Sequence, residues 1–378
     1  MPCKEHPIPT LILTLPSLLV ITRFVWPLAL PIPITLFLAA AMLGVSQYHF
    51  WSRLSSGSVF APEFPRAIVI LFNWAFGTIL FLAPLQVLLD VITLPAALVY
   101  EVTVPDTIRY AMAAIAALTA AIGVRLATIV PPVHDIEIGI AGLPSRFDGY
   151  TMLQLTDLHI SRLFPAAWAR AVVERANGLG ANLILITGDL IDGDLAARRA
   201  DVEPLRDLRA VDGVYVIPGN HEYFFDYRVW MAHFAAMGMR LLLNQHVVLD
   251  RDGGGLVIAG VTDRSAPRTG NPGPDLAAAI GNAPRDAPII LLDHQPQNAR
   301  HAAALGVALQ LSGHTHGGMI VGLDRLARRA NGGFVSGRYQ VDGMTLYVNN
   351  GTGLWPGFAL RLGRPSELTR ITLRPASA

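Results

Sequence analysis

The apolar and polar positions of this chain fall into two regimes. Up to about residue 130 apolar residues run almost without interruption, in four stretches: Leu11–Leu28, Ile34–Phe50, Ala67–Leu89 and Tyr110–Val130. A helix needs about 20 predominantly apolar residues to cross a bilayer, so each stretch is a candidate span, and the third fits best. The second is short unless Tyr48, Phe50 and Trp51 form an interfacial belt. Pro31 and Pro33 set a tight turn between the first two. Arg125, near the end of the fourth, can snorkel to the interface. Residues 91–104 are apolar but too short to count as a span.

Pro131-Pro132 closes the last helix, because the first proline restricts Val130 before it. Beyond this point short apolar runs alternate with helical segments. Pro165 to Leu179 leads into Ala181 to Thr187, Ala196 to Ala210 into Val214 to Ile217, and Asn298 to Leu305 into Val307 to Leu311. That alternation predicts an α/β architecture. Later runs pair as hairpins: Tyr339 to Gln340 with Thr345 to Asn349 around Asp342-Gly343, a favoured turn, and Arg240 to Asp250 with Leu256 to Val261 around a glycine run. Arg264 to Asp286, rich in Pro and Gly, reads as an excursion or lid. Residues 1–130 are thus expected to form a transmembrane helical domain of about four spans, and residues 131–378 a separate α/β domain.

Composition agrees with this division. Hydrophobic residues make up 52% of the chain and charged residues 15%, where a soluble domain carries about 25% charged. Eleven charged residues lie in 1–130 and 46 beyond. The net charge of +1 gives no footprint for nucleic acid, and the single cysteine, Cys3, excludes an internal disulfide.

The chemistry sits where the apolar runs end. Thr151 to Thr156 is followed by Asp157-Leu158-His159, Leu183 to Thr187 by Gly188-Asp189, and Val214 to Ile217 by Gly219-Asn220-His221-Glu222. Ile289 to Leu292 is followed by His294, and Val307 to Leu311 by Gly313-His314-Thr315-His316. Five of the 11 histidines fall in this series. In an extended chain residues i and i+2 share a side, so Asp157 and His159 can reach one ion, and His314 and His316 repeat the device. Asp189 has two oxygens with which to bridge two ions, and Asn220 offers a neutral amide oxygen. Two divalent ions would leave such a site net positive, which suits an anionic phosphate.

The series resembles the calcineurin-like metallophosphoesterases, whose pattern is D-x-H, G-D-x-x-D, G-N-H-[DE], H and G-H-x-H. Every block is present in order between Val133 and Leu373, about two thirds of the chain. The resemblance implies a two-sheet sandwich flanked by helices, following the N-terminal transmembrane helices. It implies Asp157, His159 and His316 on one metal ion, Asn220, His294 and His314 on the other, and Asp189 between them. His221 is then the non-ligand histidine that protonates the leaving oxygen or stabilises its charge. Asp192 orients its ring. The cofactors implied are two divalent ions; mixed oxygen and imidazole ligands suit manganese, iron or zinc better than calcium.

The implied activity is hydrolysis of a phosphodiester, phosphomonoester or pyrophosphate by a metal-bound hydroxide. Tethering to a bilayer favours a lipid-linked substrate, with a soluble cyclic nucleotide or small phosphodiester as the rival. One departure bears on this. Gly193 stands where protein phosphatases of this fold carry an arginine that grips the phosphate, which counts against a phosphoprotein substrate. The competing class is a catalytically silent metal-binding sensor or scaffold. Such proteins usually lose a ligand or the acid histidine, and none is missing here.

Each of these residues has an ordinary alternative when taken singly: Asp157 as a turn residue, Asp189 as a helix cap, Asp194 as turn chemistry beside Gly193. The remaining histidines, His6, His49, His134, His233, His246 and His301, carry no assigned role. Arg325, Arg328, Arg329 and Arg338 within Gly322 to Arg338 read either as a solvated loop or as a segment touching lipid headgroups, each basic residue contributing about 1 kcal/mol near an anionic leaflet. Trp355 and Phe358 fit an apolar entrance or the core equally well.

Lys4 ahead of an apolar run also fits a signal peptide, but no small-x-small cleavage site follows and more apolar runs do, which favours an uncleaved multispan anchor. Lys4, Arg53, Arg66 and Arg125 then share one side, with Arg109 opposite beside Asp90, Glu101 and Asp106. The positive-inside rule puts the N-terminus and the α/β domain in the cytoplasm of a bacterial inner-membrane protein.

Overall fold

The computed structural model describes residues 10–97 and 103–376. Lys4 and Glu101, on which part of the topology reading rests, lie outside them, as do Cys3 and His6. The described residues divide into two compact units, one within residues 10–127 with 356–360, the other 128–355 with 361–376.

The first unit is helical. Arg66–Ala97 and Asp106–Thr128 are α-helices, and the stretches Arg66–Thr93 and Asp106–Thr128 are long and apolar enough to cross a membrane. Ile32–Ser46 and Tyr48–Ser56 form a pair bent by 57°, a third candidate if the two count as one broken span. The first expected run falls short of crossing length. Thr10–Val20 passes through a π-turn at Ile21–Val25 and a 3-10 turn at Trp26–Leu28, leaving an apolar helix of Leu13–Leu28. Charge inside the unit is compensated: Arg23 pairs with Asp90 at 3.0 Å, and Arg109 donates to the carbonyl of Arg23 at 3.0 Å. Pro356–Leu360, far along the sequence, belongs to this unit. The buried Asn73 donates to the carbonyl of Pro356 at 3.0 Å and accepts from the N–H of Ala359 at 2.7 Å. Tyr48 Oη donates to the same Pro356 carbonyl, and Phe358 stands edge-on to Phe76.

The second unit is an α/β fold of two mixed six-stranded sheets. The strands in chain order are β1 (Val133–Ile140), β2 (Thr151–Leu155), β3 (Leu183–Thr187), β4 (Val214–Ile217), β5 (Arg240–Leu241) and β6 (Gln245–Arg251). They continue with β7 (Gly254–Gly260), β8 (Ile289–Leu292), β9 (Leu309–Ser312), β10 (Gly337–Val341), β11 (Met344–Val348) and β12 (Leu368–Pro375). One sheet runs β1-β12-β2-β3-β4-β5, the other β10-β11-β9-β8-β7-β6. β2, β3, β4 and β5 are parallel, as are β7, β8, β9 and β11.

β3, β4, β9 and β11 are wholly buried, as expected of strands covered on both faces. Their inner side chains meet in one core: Leu183, Leu185, Tyr215 and Ile217 from the first sheet, Ile258, Ile290, Leu309 and Tyr347 from the second. The expected hairpin at Asp342-Gly343 joins β10 to β11, with φ of +48° and +88° at the two turn residues, the left-handed pair that a tight two-residue turn requires. The second hairpin is β6 with β7, while Arg240 and Leu241 belong to the other sheet. The 264–286 stretch is not one open loop. It holds a 3-10 turn at Ala266–Thr269 and a short helix, Leu276–Ile280, capped by Asp275.

Because β2, β3 and β4 on one side and β8 and β9 on the other run parallel, their C-terminal ends fall at the same edge of the sandwich, where open α/β sheets place ligands. Each of the five polar blocks begins there.

Candidate metal centre

The chain leaves β2, β3 and β9 through sharp bends. Asp157, His159, Asp189, His314 and His316 all have positive φ, between +45° and +70°, a left-handed conformation that costs a non-glycine residue free energy and concentrates at functional sites. The expectation that Asp157 and His159 share a side because the chain is extended is therefore corrected: β2 ends at Leu155, and the two side chains converge because both backbones are left-handed. Two glycines are required by close approach. A Cβ at Gly219 would overlap the Asp189 carboxylate, and one at Gly313 would overlap that of Asp157.

Three groups of side chains bring their ligand atoms within 4.8 Å of one another: Asp157, His159 and His316; His159, Asp189 and His221; Asp189, His294 and His314. Asp189 Oδ2 lies 3.2 Å from His294 Nε2, 3.8 Å from His159 Nε2 and 3.9 Å from His221 Nε2, while its Oδ1 accepts the backbone N–H of His221 at 2.8 Å. One oxygen is thus tied down and the other faces three imidazoles. His316 Nε2 stands 3.5 Å from Asp157 Oδ1. The backbone N–H of His314 donates to both Asp157 oxygens at 3.1 Å, and Thr156 Oγ1 donates to Oδ2 at 2.8 Å.

Among the site histidines, His159, His294 and His221 have their outer nitrogens engaged. His159 Nδ1 is 3.1 Å from Asp192 Oδ2, and His294 Nδ1 is 2.7 Å from the carbonyl of Thr187. Such partners fix the tautomer and aim Nε2 inward. His221 Nδ1 is hydrogen-bonded to Asp192 Oδ1, so one buried carboxylate orients two histidines. Burial opposes charge on the His221 ring, but Asp189 and Asp192 outweigh it and raise its pKa to about 9. Burial likewise opposes ionisation of Asp189, and the neighbouring His294 and His221 pull its carboxyl well below the usual range.

The donor set fits cations. His159 Nε2 and His316 Nε2 face each other at 3.2 Å, an approach that two neutral imidazole lone pairs tolerate only with a proton or metal between them. Asn220 Oδ1, on the residue before His221, is buried without a hydrogen-bond partner, a costly condition for a polar atom unless a ligand satisfies it.

The calcineurin-like phosphoesterase family model matches residues 150–318, which contain all five blocks. The metallophosphoesterase YkuE of Bacillus subtilis is 33% identical over 270 residues, covering 68% of this chain and 92% of that protein. This chain belongs to the calcineurin-like phosphoesterases. A transmembrane protein with metallophosphoesterase domain from Danio rerio is 33% identical over 271 residues, 69% of this chain and 62% of its own length. A metallophosphoesterase from Helicobacter pylori is 33% identical over 226 residues, 59% of this chain and 60% of its own. The chain spans less than two thirds of the length of these last two relatives, and relatives occur in animals as well as bacteria.

Within the phosphoesterase unit two supporting residues stand out. Glu222 is fully buried and accepts three backbone N–H groups, from Gly219 at 2.7 Å, Asp189 at 3.1 Å and Leu190 at 2.7 Å. It locks the Gly-Asp turn to the Gly-Asn-His turn. Its place after Gly219-Asn220-His221 was the only sequence signal. Arg361 left none. Its guanidinium is fully buried and donates to four backbone carbonyls, those of His316 at 3.1 Å, Arg364 at 3.1 Å, Asn350 at 2.6 Å and Gly353 at 2.9 Å. The N–H of Gly353 in turn donates to the carbonyl of Asp157 at 2.8 Å. At the departure from the protein-phosphatase pattern, the carbonyl of Gly193 accepts from Trp230 Nε1 at 3.1 Å, and the buried Arg198 packs against that glycine.

Proposed function

We propose that this chain is a membrane-anchored phosphoesterase that works with two divalent metal ions. The observation that supports this most directly is the convergence of Asp157, His159, Asp189, His294, His314 and His316, together with a buried, unpartnered Oδ1 on Asn220, the residue before His221. Asp157, His159 and His316 would hold one ion and Asn220, His294 and His314 the other, with Asp189 shared between them. Ions in such a pair supply Lewis acidity and a nucleophile from water at neutral pH. Four positive charges against the two carboxylates leave the site electropositive toward a phosphate.

His221 is the general acid in this reading. Its Nδ1 is held by Asp192, so the proton it can deliver to a leaving oxygen is the one on Nε2, the nitrogen that faces Asp189. Asp192 fixes the ring and favours the imidazolium before transfer. Glu222 and Arg361 keep the two ligand-bearing turns in register.

Apolar helices of crossing length in the same chain favour a phosphoester or pyrophosphate carried on a lipid. If Arg53, Arg66 and Arg125 share one side of the helices, as expected from the sequence, the positive-inside rule favours a cytoplasmic phosphoesterase unit in the inner membrane of a bacterium.

The test is metal analysis of the detergent-solubilised full chain, coupled to hydrolysis of an aryl phosphodiester and of a lipid pyrophosphate. The expected result is two ions per chain and turnover that is lost, with metal, in Asp189→Asn. Turnover that persists in Asp189→Asn after metal is lost would refute the mechanism. Activity confined to the soluble compound would remove the lipid assignment and leave the chemistry.

A further inference from the structure

The loop that carries His316 does not end in the core. After the 3-10 turn His316–Gly318 the chain continues into a helix, Asp324–Ala330, none of whose residues is buried. The helix is hinged to that loop: Leu323 and Asp324 donate to the carbonyl of Ile320 at 3.0 and 3.3 Å. Around it stand three apolar side chains with no burial to explain them, Val321 at 64% exposure, Leu326 at 62% and Leu323 at 40%. Arg325, Arg328 and Arg329 are exposed beside them. The one acid of the segment, Asp324, is already paired with Arg364 and accepts the N–H of Gly322 at 2.7 Å. Toward solvent the segment therefore presents cationic and apolar groups only.

A charge run by itself is a solvated face. Here leucines three residues apart accompany it, and residues i and i+3 of a helix are neighbours on its surface. Apolar side chains flanked by arginines suit the boundary between headgroups and acyl chains, where guanidinium groups reach phosphates while their stems lie along apolar surface. Arginines near an anionic leaflet are attracted to it, and a bilayer is at hand in the reading above.

We propose that Val321–Ala330 is an interfacial segment seated in an anionic lipid surface, with Val321, Leu323 and Leu326 entering the leaflet and Arg325, Arg328 and Arg329 on lipid phosphates. The His314–His316 loop then opens at the headgroup layer, where a lipid-borne phosphoester is presented. This inference rests on the membrane-anchored reading, and its test is separable from the test of that reading.

Full chain carrying Cys3→Ser and Leu326→Cys, labelled with an environment-sensitive fluorophore, is reconstituted in nanodiscs of phosphatidylcholine alone or with phosphatidylglycerol. Val211→Cys, at a site 83% exposed, serves as the water-facing control. The expected result is quenching of the Leu326→Cys label by nitroxide lipids, several-fold stronger with phosphatidylglycerol. Replacing Arg325, Arg328 and Arg329 by Gln should reduce it, with hydrolysis of a soluble aryl phosphodiester unchanged. A label reached only by aqueous iodide in both compositions, like the Val211→Cys control, would overturn the proposal even if the chain hydrolyses lipid substrates. Insertion of the label in a chain without hydrolysis would leave the surface standing and remove the enzyme reading instead.

Discussion

His159 and Asp192 are joined through Nδ1 and Oδ2 at 3.1 Å, and the second oxygen of the same carboxylate holds His221. A histidine that faces the proposed ions and a histidine proposed as acid thus depend on one side chain. Asp192→Asn keeps the shape but can accept through only one oxygen. The expected outcome is a 10- to 100-fold loss of activity and of affinity for the ion near His159, the usual cost of losing a partner behind a ligand. Metal titration followed by steady-state kinetics would show whether both fall together.

Removal of the metal should expose the titration of His221. The ring's pKa is about 9 in the folded, metal-free chain against 6.5 for an ordinary histidine. A raised folded pKa contributes stability that is fully present below about 6.5 and is lost as pH rises through about 9. In chelator-treated protein, the wild type should melt above His221→Gln at pH 6, and the gap should close toward pH 9.5. A gap that is constant with pH would show that the imidazolium is not held by Asp189 and Asp192.

Glu222 is proposed to act on structure before chemistry. Burial pushes its carboxyl up, with the Asp189 carboxylate adding to the effect, and its pKa stands at about 7. It nevertheless accepts three N–H groups, two on Oε2 and one on Oε1. Glu222→Gln turns one oxygen into a donor facing a donor. The expected cost is about 1–3 kcal/mol, that of a buried unsatisfied group. It would be read as a lower midpoint in denaturant, with metal content falling because the Asp189 turn loosens.

Arg361 closes the other side of the site. Arg361→Met leaves the carbonyls of His316, Asn350 and Gly353 without their donor in a dry environment. The expected outcome is a loss of about 1–3 kcal/mol for each buried carbonyl left unsatisfied, with metal affinity at Asp157, His159 and His316 falling before that at His294 and His314. Arg361→Lys, with three donors and no planar fork, should recover part of it. Site-resolved metal content distinguishes this from a uniform fall in stability.

Much of the site was legible because its chemistry is local in sequence. Asp157, Asp189, Asn220, His294, His314 and His316 each follow an apolar run, and those runs are β2, β3, β4, β8 and β9. The hairpin at Asp342-Gly343 was legible for the same reason, since two adjacent residues with positive φ set it. Arg361 was not, because its acceptors are main-chain carbonyls from separate loops, and carbonyls have no sequence signature. Nor was the helical first unit fully legible: apolar content gave four stretches, but crossing depends on unbroken length, which the turns at Ile21–Leu28 and the 57° bend at Gln47 interrupt.

The sequence alone determined which polar residues follow the strands and in what order, because residue type and strand pattern are properties of short segments. Tertiary structure decided what no segment contains. β12, last in the chain, lies between β1 and β2, and left-handed turns at Asp157, His159, Asp189, His314 and His316 swing their side chains together. Such turns are unfavourable in an isolated strand end. They persist where a packed core and supports such as Glu222 and Arg361 over-determine them.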